Sequence, residues 1–161
     1  MSNGGPVLAL TEGYGVGLGS QLPFTLPDGG AGLSITQTQD GLGLRRLLSL
    51  VFTLTTSATV AARVVTVEYQ GKDGNAFMVA GTATTVPASQ TQRFSASVTG
   101  FQGGTQGATT LFFSLPTFFL FPGDVLTIAV GAIQAADTVT KIRGVFELFP
   151  LSTDRLPPLE P

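Results

Sequence analysis

The chain contains no histidine, no cysteine and no tryptophan. Without histidine it lacks the commonest general base and the commonest metal ligand at once. Without cysteine it can build neither a disulfide framework nor a thiolate zinc site, which fits a reducing compartment. Charge is scarce as well: charged residues make up 11% of the 161 residues, against roughly 25% in an ordinary soluble domain. Mean hydropathy is positive, at +0.36. A monomer stays dispersed through a polar surface, so this shortage points to a surface covered by partners. A neutral surface of Ser, Thr, Gln and Gly is the competing reading.

The eight basic residues are scattered along the chain and the net charge is -2. Nucleic-acid binders neutralise several phosphates with clustered Lys and Arg. The sequence holds no such run; Arg45-Arg46 is its one basic doublet and reads as the solvated start of a strand. The opening MSNGGPVLAL has neither the basic nor the apolar region of a signal peptide. Pro116, Pro122 and Asp124 interrupt the greasiest region before it reaches the ~18 apolar residues of a spanning helix. The expectation is a soluble intracellular product with neither nucleic acid nor membrane as partner.

What is present is a period of two. Leu48, Leu50, Phe52 and Leu54 alternate with Ser49, Thr53 and Thr55 over 46–55, as in a half-buried strand. Val65, Val67 and Tyr69 alternate with Thr66 and Glu68 over 63–70, in a β-branched and aromatic run. Lys72-Asp73-Gly74-Asn75 supplies a tight turn, since Asp-Gly accepts positive φ, and 75–81 returns as the hairpin partner. Phe94, Ala96 and Val98 alternate with Arg93, Ser95 and Ser97. The glycine-rich 99–107 reads as a long exposed loop. Phe121-Pro122-Gly123-Asp124 is a turn before the apolar 125–130. Over 138–149, Ile142, Phe146 and Leu148 are expected to oppose Lys141, Arg143 and Glu147.

Seven or eight evenly spaced strands without a helix predict an all-β fold, an antiparallel jelly-roll sandwich of about eight strands over 44–150. Residues 1–43 hold about half of the 21 glycines and read as an extended arm that something outside the domain would hold. Residues 151–161 read as an extended proline-rich tail. Between Leu111 and Phe121 lie five of the twelve phenylalanines, with only Ser114 and Thr117 polar. An alternating strand cannot place so many inside one chain. Phe113 and Leu115, or their alternates, are expected in the core, and the remainder at a contact between chains.

Catalytic chemistry is hard to assemble from these residues. No two carboxylates lie at short spacing, and most acidic residues sit where turns are expected. Glu68 and Glu147 could only converge from distant strands, and both are expected to point outward. Asp73-Gly74-Asn75 lacks the further ligands of a calcium loop. Gly13-Tyr14-Gly15-Val16-Gly17-Leu18-Gly19 has the wrong spacing for a phosphate loop and no lysine. No histidine or buried lysine stands ready to activate a serine or threonine. The expectation is therefore no enzyme, no cofactor and no metal.

Arg45-Arg46-Leu-Leu-Ser-Leu-Val-Phe-Thr-Leu-Thr-Thr-Ser-Ala-Thr-Val60, Ala62-Arg63-Val64-Val65, Lys72-Asp73-Gly74-Asn75, Gln90-Thr91-Gln92-Arg93-Phe94 and Leu120-Phe121-Pro122-Gly123-Asp124-Val125-Leu126 form a recurring pattern. It resembles small jelly-roll virion proteins of tailed bacteriophages, over about two thirds of the chain, in structural and not catalytic motifs. The resemblance implies a particle component made in the host cytoplasm. Length and composition favour a head decoration, or cement, protein on the capsid surface, partnered by itself as a homotrimer and by the major capsid protein. Val7, Leu8, Leu10, Tyr14, Phe24, Phe112, Phe118, Phe119 and Phe121 are the expected interface residues. A tail, baseplate or head-fibre module is the alternative. A carbohydrate-binding β-sandwich is disfavoured, because Tyr14 and Tyr69 are the only tyrosines available for a sugar platform.

Overall fold

The computed structural model describes residues 20–29, 32, 35–39, 43–98 and 110–149. Ten strands are present: β1 (Ser20–Thr25), β2 (Ile35–Thr38), β3 (Leu44–Thr55), β4 (Val64–Gln70), β5 (Ala76–Gly81), β6 (Thr91–Ser97), β7 (Thr110–Ser114), β8 (Phe119–Leu120), β9 (Val125–Gly131) and β10 (Thr138–Phe149). They form two sheets. Sheet A has the order β1-β10-β3-β6-β7, with the short β8 also paired to β3; sheet B has the order β2-β9-β4-β5. The all-β expectation stands.

Two features depart from a purely antiparallel sandwich of about eight strands. The Phe-rich segment is divided into β7 and β8, and β7 runs parallel to β6. Parallel neighbours need a crossover of a dozen or more residues, and residues 98–109 separate the two strands. Four of the other pairs nest, β1 with β10, β2 with β9, β3 with β6 and β4 with β5, all antiparallel.

The arm expected over 1–43 gives up residues 20–25 and 35–38 to the sheets. β1 pairs with β10 over its whole length, Ser20 opposite Leu148 and Thr25 opposite Arg143. Phe24 explains why so short a segment holds its register. Its ring stacks on Phe146, centroids 4.5 Å apart, over the bare backbone of Gly144. An ideal Cβ on Gly144 would lie 2.5 Å from Phe24 Cζ and 2.7 Å from the Ser49 carbonyl oxygen. The rest of 1–43, the loop at 99–107 and the tail at 151–161 lie outside the described residues, apart from Pro27–Gly29 with their flanking Leu26, Gly32, Gln39 and Gly43.

The core is one cluster drawn from both sheets. Leu50, Phe52 and Leu54 of β3 face Val65, Val67 and Tyr69 of β4, joined by Phe94, Ile128, Val139, Ile142 and Phe146. The ring of Phe52 stacks on Phe94, 5.0 Å between centroids. Leu48, expected inside, gives way to Leu47, which is fully buried. A β-bulge is the cause: Ser49 pairs with Val145 and Leu47 with Phe146, leaving Leu48 as the extra residue. The Asp-Gly hairpin forms as expected, with Gly74 at φ 80° and Asp73 accepting from the Asn75 backbone and side chain. In the second expected turn Gly123 takes φ 94° and the Phe121 N–H donates to Asp124.

Two substitutions probe this packing. Gly144→Ala should destabilise by about 1–3 kcal/mol in urea unfolding, since the added methyl meets both the Phe24 ring and backbone. In a Phe24→Ala background, itself less stable, the same substitution should cost less but not nothing, because the Ser49 carbonyl remains. The Tyr69 hydroxyl is buried without a hydrogen-bond partner among the described residues, and burial holds its ionisation well above the ordinary phenol range. Tyr69→Phe should therefore be neutral or stabilise by up to ~1 kcal/mol, as removal of a desolvated, unsatisfied hydroxyl predicts. A loss above that would show that the hydroxyl has a partner.

Candidate interaction surfaces and a buried ion pair

Arg63 and Asp137 are both fully buried. Arg63 Nε donates to Asp137 Oδ2 at 2.8 Å and Nη2 to Oδ1 at 2.9 Å, a bidentate fork. The backbone amides of Ser57 and Gln134 also donate to the carboxylate, each at 2.7 Å. Two further guanidinium hydrogens, on Nη1 and Nη2, reach the Ala61 carbonyl and the Ser57 hydroxyl. Burial alone would raise the Asp137 pKa, but these donors, Arg63 foremost, outweigh it and hold the carboxyl well below the usual carboxylate range. The arrangement is structural. Its members lie in the β3–β4 and β9–β10 connections and at the foot of β4.

The described ones among the expected interface residues, Phe24, Phe112, Phe118, Phe119 and Phe121, have different surroundings. Val7, Leu8, Leu10 and Tyr14 lie outside the described residues. Phe24 packs against the core. Phe112 is half-buried on β7, while its neighbours Phe113 and Leu115 enter the core as expected. Phe118 turns toward sheet B, its ring 6.4 Å from Tyr69 and 5.0 Å from Phe77. Phe119 meets Phe149 edge-on at 5.4 Å. Phe121, at the turn, is 55% exposed.

Phe119 belongs to a cluster that sequence reading misplaced. Arg46 pairs with Glu147 through Nε at 2.8 Å and through Nη2. The guanidinium lies over the rings of Phe119 and Phe149, 5.8 Å from each centroid. Glu147 is buried, not outward, because β8 pairs with the start of β3 and lays Phe119 beside the Arg46 it opposes. Arg46 is half-buried rather than solvated. Glu68, in the other sheet, accepts from Thr66 and Gln70 on its own strand. The two glutamates do not converge.

The surface that sequence reading missed is β5. Among the described residues it ends sheet B, with β4 as its only sheet neighbour, and it reads Ala-Phe-Met-Val-Ala-Gly with no charge and no proline. Edge strands are normally guarded by Lys, Pro or a bulge against pairing with another chain; β5 has only a bulge, at Phe77, between Ala76 opposite Gln70 and Met78 opposite Tyr69. Here Phe77 is 43% and Val79 54% exposed, and Phe77 continues into Phe118. On the outer face of sheet A, Val51, Thr53, Arg93, Lys141 and Arg143 line a hollow of about 270 Å³. Among the described residues, no group of three or more His, Cys, Asp or Glu could hold a metal ion. Nor is any helix among them long and apolar enough to cross a membrane.

No family model, curated protein or solved structure matches the chain.

Removing one partner of the buried pair leaves the other charged and dry, so Asp137→Asn should cost about 3–5 kcal/mol in denaturant unfolding. The pH dependence follows from the depressed folded-state pKa. The stabilisation is fully present above the unfolded carboxyl pKa of about 3.9 and is lost as pH falls below it. Acid titration of stability should therefore be flatter in the variant than in the wild type.

Proposed function

We propose that the chain is a structural virion protein, a decoration protein that bridges capsomers on the head of a tailed phage, acting as a homotrimer on the major capsid protein. The proposal assigns no reaction and no cofactor. The observation that carries it is β5, an apolar edge strand with exposed Phe77 and Val79 beside Phe118. A lone molecule would leave this edge open to pairing. A neighbour covering it would remove apolar area from water and satisfy the strand's free backbone groups. The scarcity of charge, 11% of residues, fits a surface of which part is normally covered.

The strand arrangement supports the jelly-roll form of the domain. With β7 and β8 taken as an insertion, the sheets read β1-β10-β3-β6 and β2-β9-β4-β5. First pairs with last, second with second-last, and so inward to the β4–β5 hairpin. That nesting is a long antiparallel hairpin rolled on itself, the eight-strand double Greek key of capsid and lectin domains. The resemblance of 44–149 to small phage virion proteins favours the capsid over the lectin.

Light scattering at low micromolar concentration should give a trimer of the 16.6 kDa chain. Phe77→Lys with Val79→Lys should give a folded monomer, its melting temperature lowered by no more than the lost Phe77–Phe118 contact. Phage shells lacking the protein should melt at higher temperature once it is added, and the double variant should lose this effect. A monomeric wild type and superimposable shell melting curves would together overturn the proposal. A copy number of a few per particle would move the protein from the head to the tail.

A further inference from the structure

The hollow on sheet A gathers three of the chain's eight basic residues, bringing Arg93 to Lys141 and Arg143 from about fifty residues away. Arg93 lies on β6, opposite Thr53 of β3. Arg143 lies on β10, opposite Val51 of β3. Strands one neighbour apart are roughly 10 Å apart, so the two arginines flank a floor made by Val51 and Thr53. Lys141 is brought to the same hollow by a bulge. Thr140 is opposite Thr53 and Arg143 opposite Val51, so Lys141 and Ile142 together face Phe52 alone. Ile142 is buried in the core and Lys141 is left exposed at φ 55°.

That backbone conformation belongs to glycine, and a lysine holding it is strained. The Asp28 carboxylate fixes it by accepting the Lys141 N–H at 2.7 Å. Asp28 is thereby engaged with backbone, and among the described residues none of the three cations has an ion-pair partner. Three like charges around one hollow raise one another's energy. An anion seated among them offsets that repulsion.

We propose that this hollow is a binding site for a small phosphate-bearing ligand, a phosphomonoester or inorganic phosphate. Arg93 and Arg143 would clamp the dianion from the two sides with charge-assisted hydrogen bonds, Lys141 adds a third charge, and Thr53 supplies a hydroxyl at the floor. The volume, about 270 Å³, admits a phosphate with an attached sugar-sized group. The site is independent of the assembly role proposed above and survives its failure.

Calorimetric titration with inorganic phosphate and with glucose 6-phosphate, against glucose and against chloride at equal ionic strength, tests the proposal. Saturable binding of both phosphates, and of neither control, is expected. Arg93→Ala and Arg143→Ala should each weaken it by about tenfold or more, the weight of a lost charge-assisted bond. Lys72→Ala, an exposed cation in the β4–β5 turn, should leave it unchanged. Lys141→Gly is the diagnostic variant: it relieves the left-handed strain, so the protein should melt no lower than wild type while binding phosphate more weakly. No heat beyond the chloride control, or equal binding by the triple variant Arg93→Ala, Lys141→Ala, Arg143→Ala, would overturn the proposal. Glutamate binding as tightly as phosphate would overturn the phosphate assignment, and a single-stranded oligonucleotide binding more tightly than glucose 6-phosphate would overturn the small ligand.

Discussion

Arg63 and Asp137 meet where water is excluded, and the connections at one end of the sandwich are organised around them. Desolvating two such charges costs several kcal/mol each, recovered only when every donor and acceptor is matched. Here the matching groups come from the chain's crossings between sheets. Ser57 belongs to the passage from β3 to β4, and Gln134 and Asp137 to the passage from β9 to β10. The backbone of Arg63 also exchanges both hydrogen bonds with Val86, in the passage from β5 to β6. Thr56 extends the same contact by donating its hydroxyl to the Pro87 carbonyl and accepting from the Gln90 amide. Three crossings are thus pinned at one point, which fixes how sheet A lies on sheet B. Hydrophobic packing would tolerate other offsets between the sheets; a bidentate ion pair does not.

With the sheets so fixed, two bulges decide what the outer face of sheet A presents. The one at Leu48 brings Leu47 into the core. The one at Lys141 keeps Ile142 in the core and turns a lysine toward Arg93 and Arg143. Between these points the Phe-rich segment is shared out by position. Phe113, Leu115 and Leu120 fill the core, Phe118 reaches across to Phe77, and Phe119 closes over Arg46 and Glu147. Only Phe121 is left largely in solvent. An excess of phenylalanine that no single strand could bury is absorbed by breaking the strand at Pro116, so that its halves address different surfaces.

Strand positions from 44 to 98 and from 125 to 149 were legible because alternation there is a direct consequence of one buried face. The hairpin was legible because Asp-Gly fixes its turn chemistry. β1 was hidden: its hold on β10 depends on Gly144, 120 residues away from Phe24, leaving room for the ring. The buried position of Glu147 was hidden for a similar reason, since β8 covers it from a distant part of the chain. The basic hollow was invisible as well. Arg93 looks isolated in sequence, and only the adjacency of β6, β3 and β10 brings it to Lys141 and Arg143. Charge scatter along a sequence excludes a basic run, not a basic site.

The distribution of the cations also bears on how two partners could use one small domain. Arg63 is consumed by the buried pair and Arg46 by Glu147, while Arg93, Lys141 and Arg143 gather on the outer face of sheet A. β5 itself carries no charge, the basic residue nearest to it in sequence being Lys72 in the turn before it. No residue of sheet B lines the basic hollow. A neighbour pairing along β5 would therefore engage one sheet by its edge while the other kept its charged face open. Scarce charge, placed where strands cross and where three of them meet, leaves an apolar edge on one sheet and a basic hollow on the other.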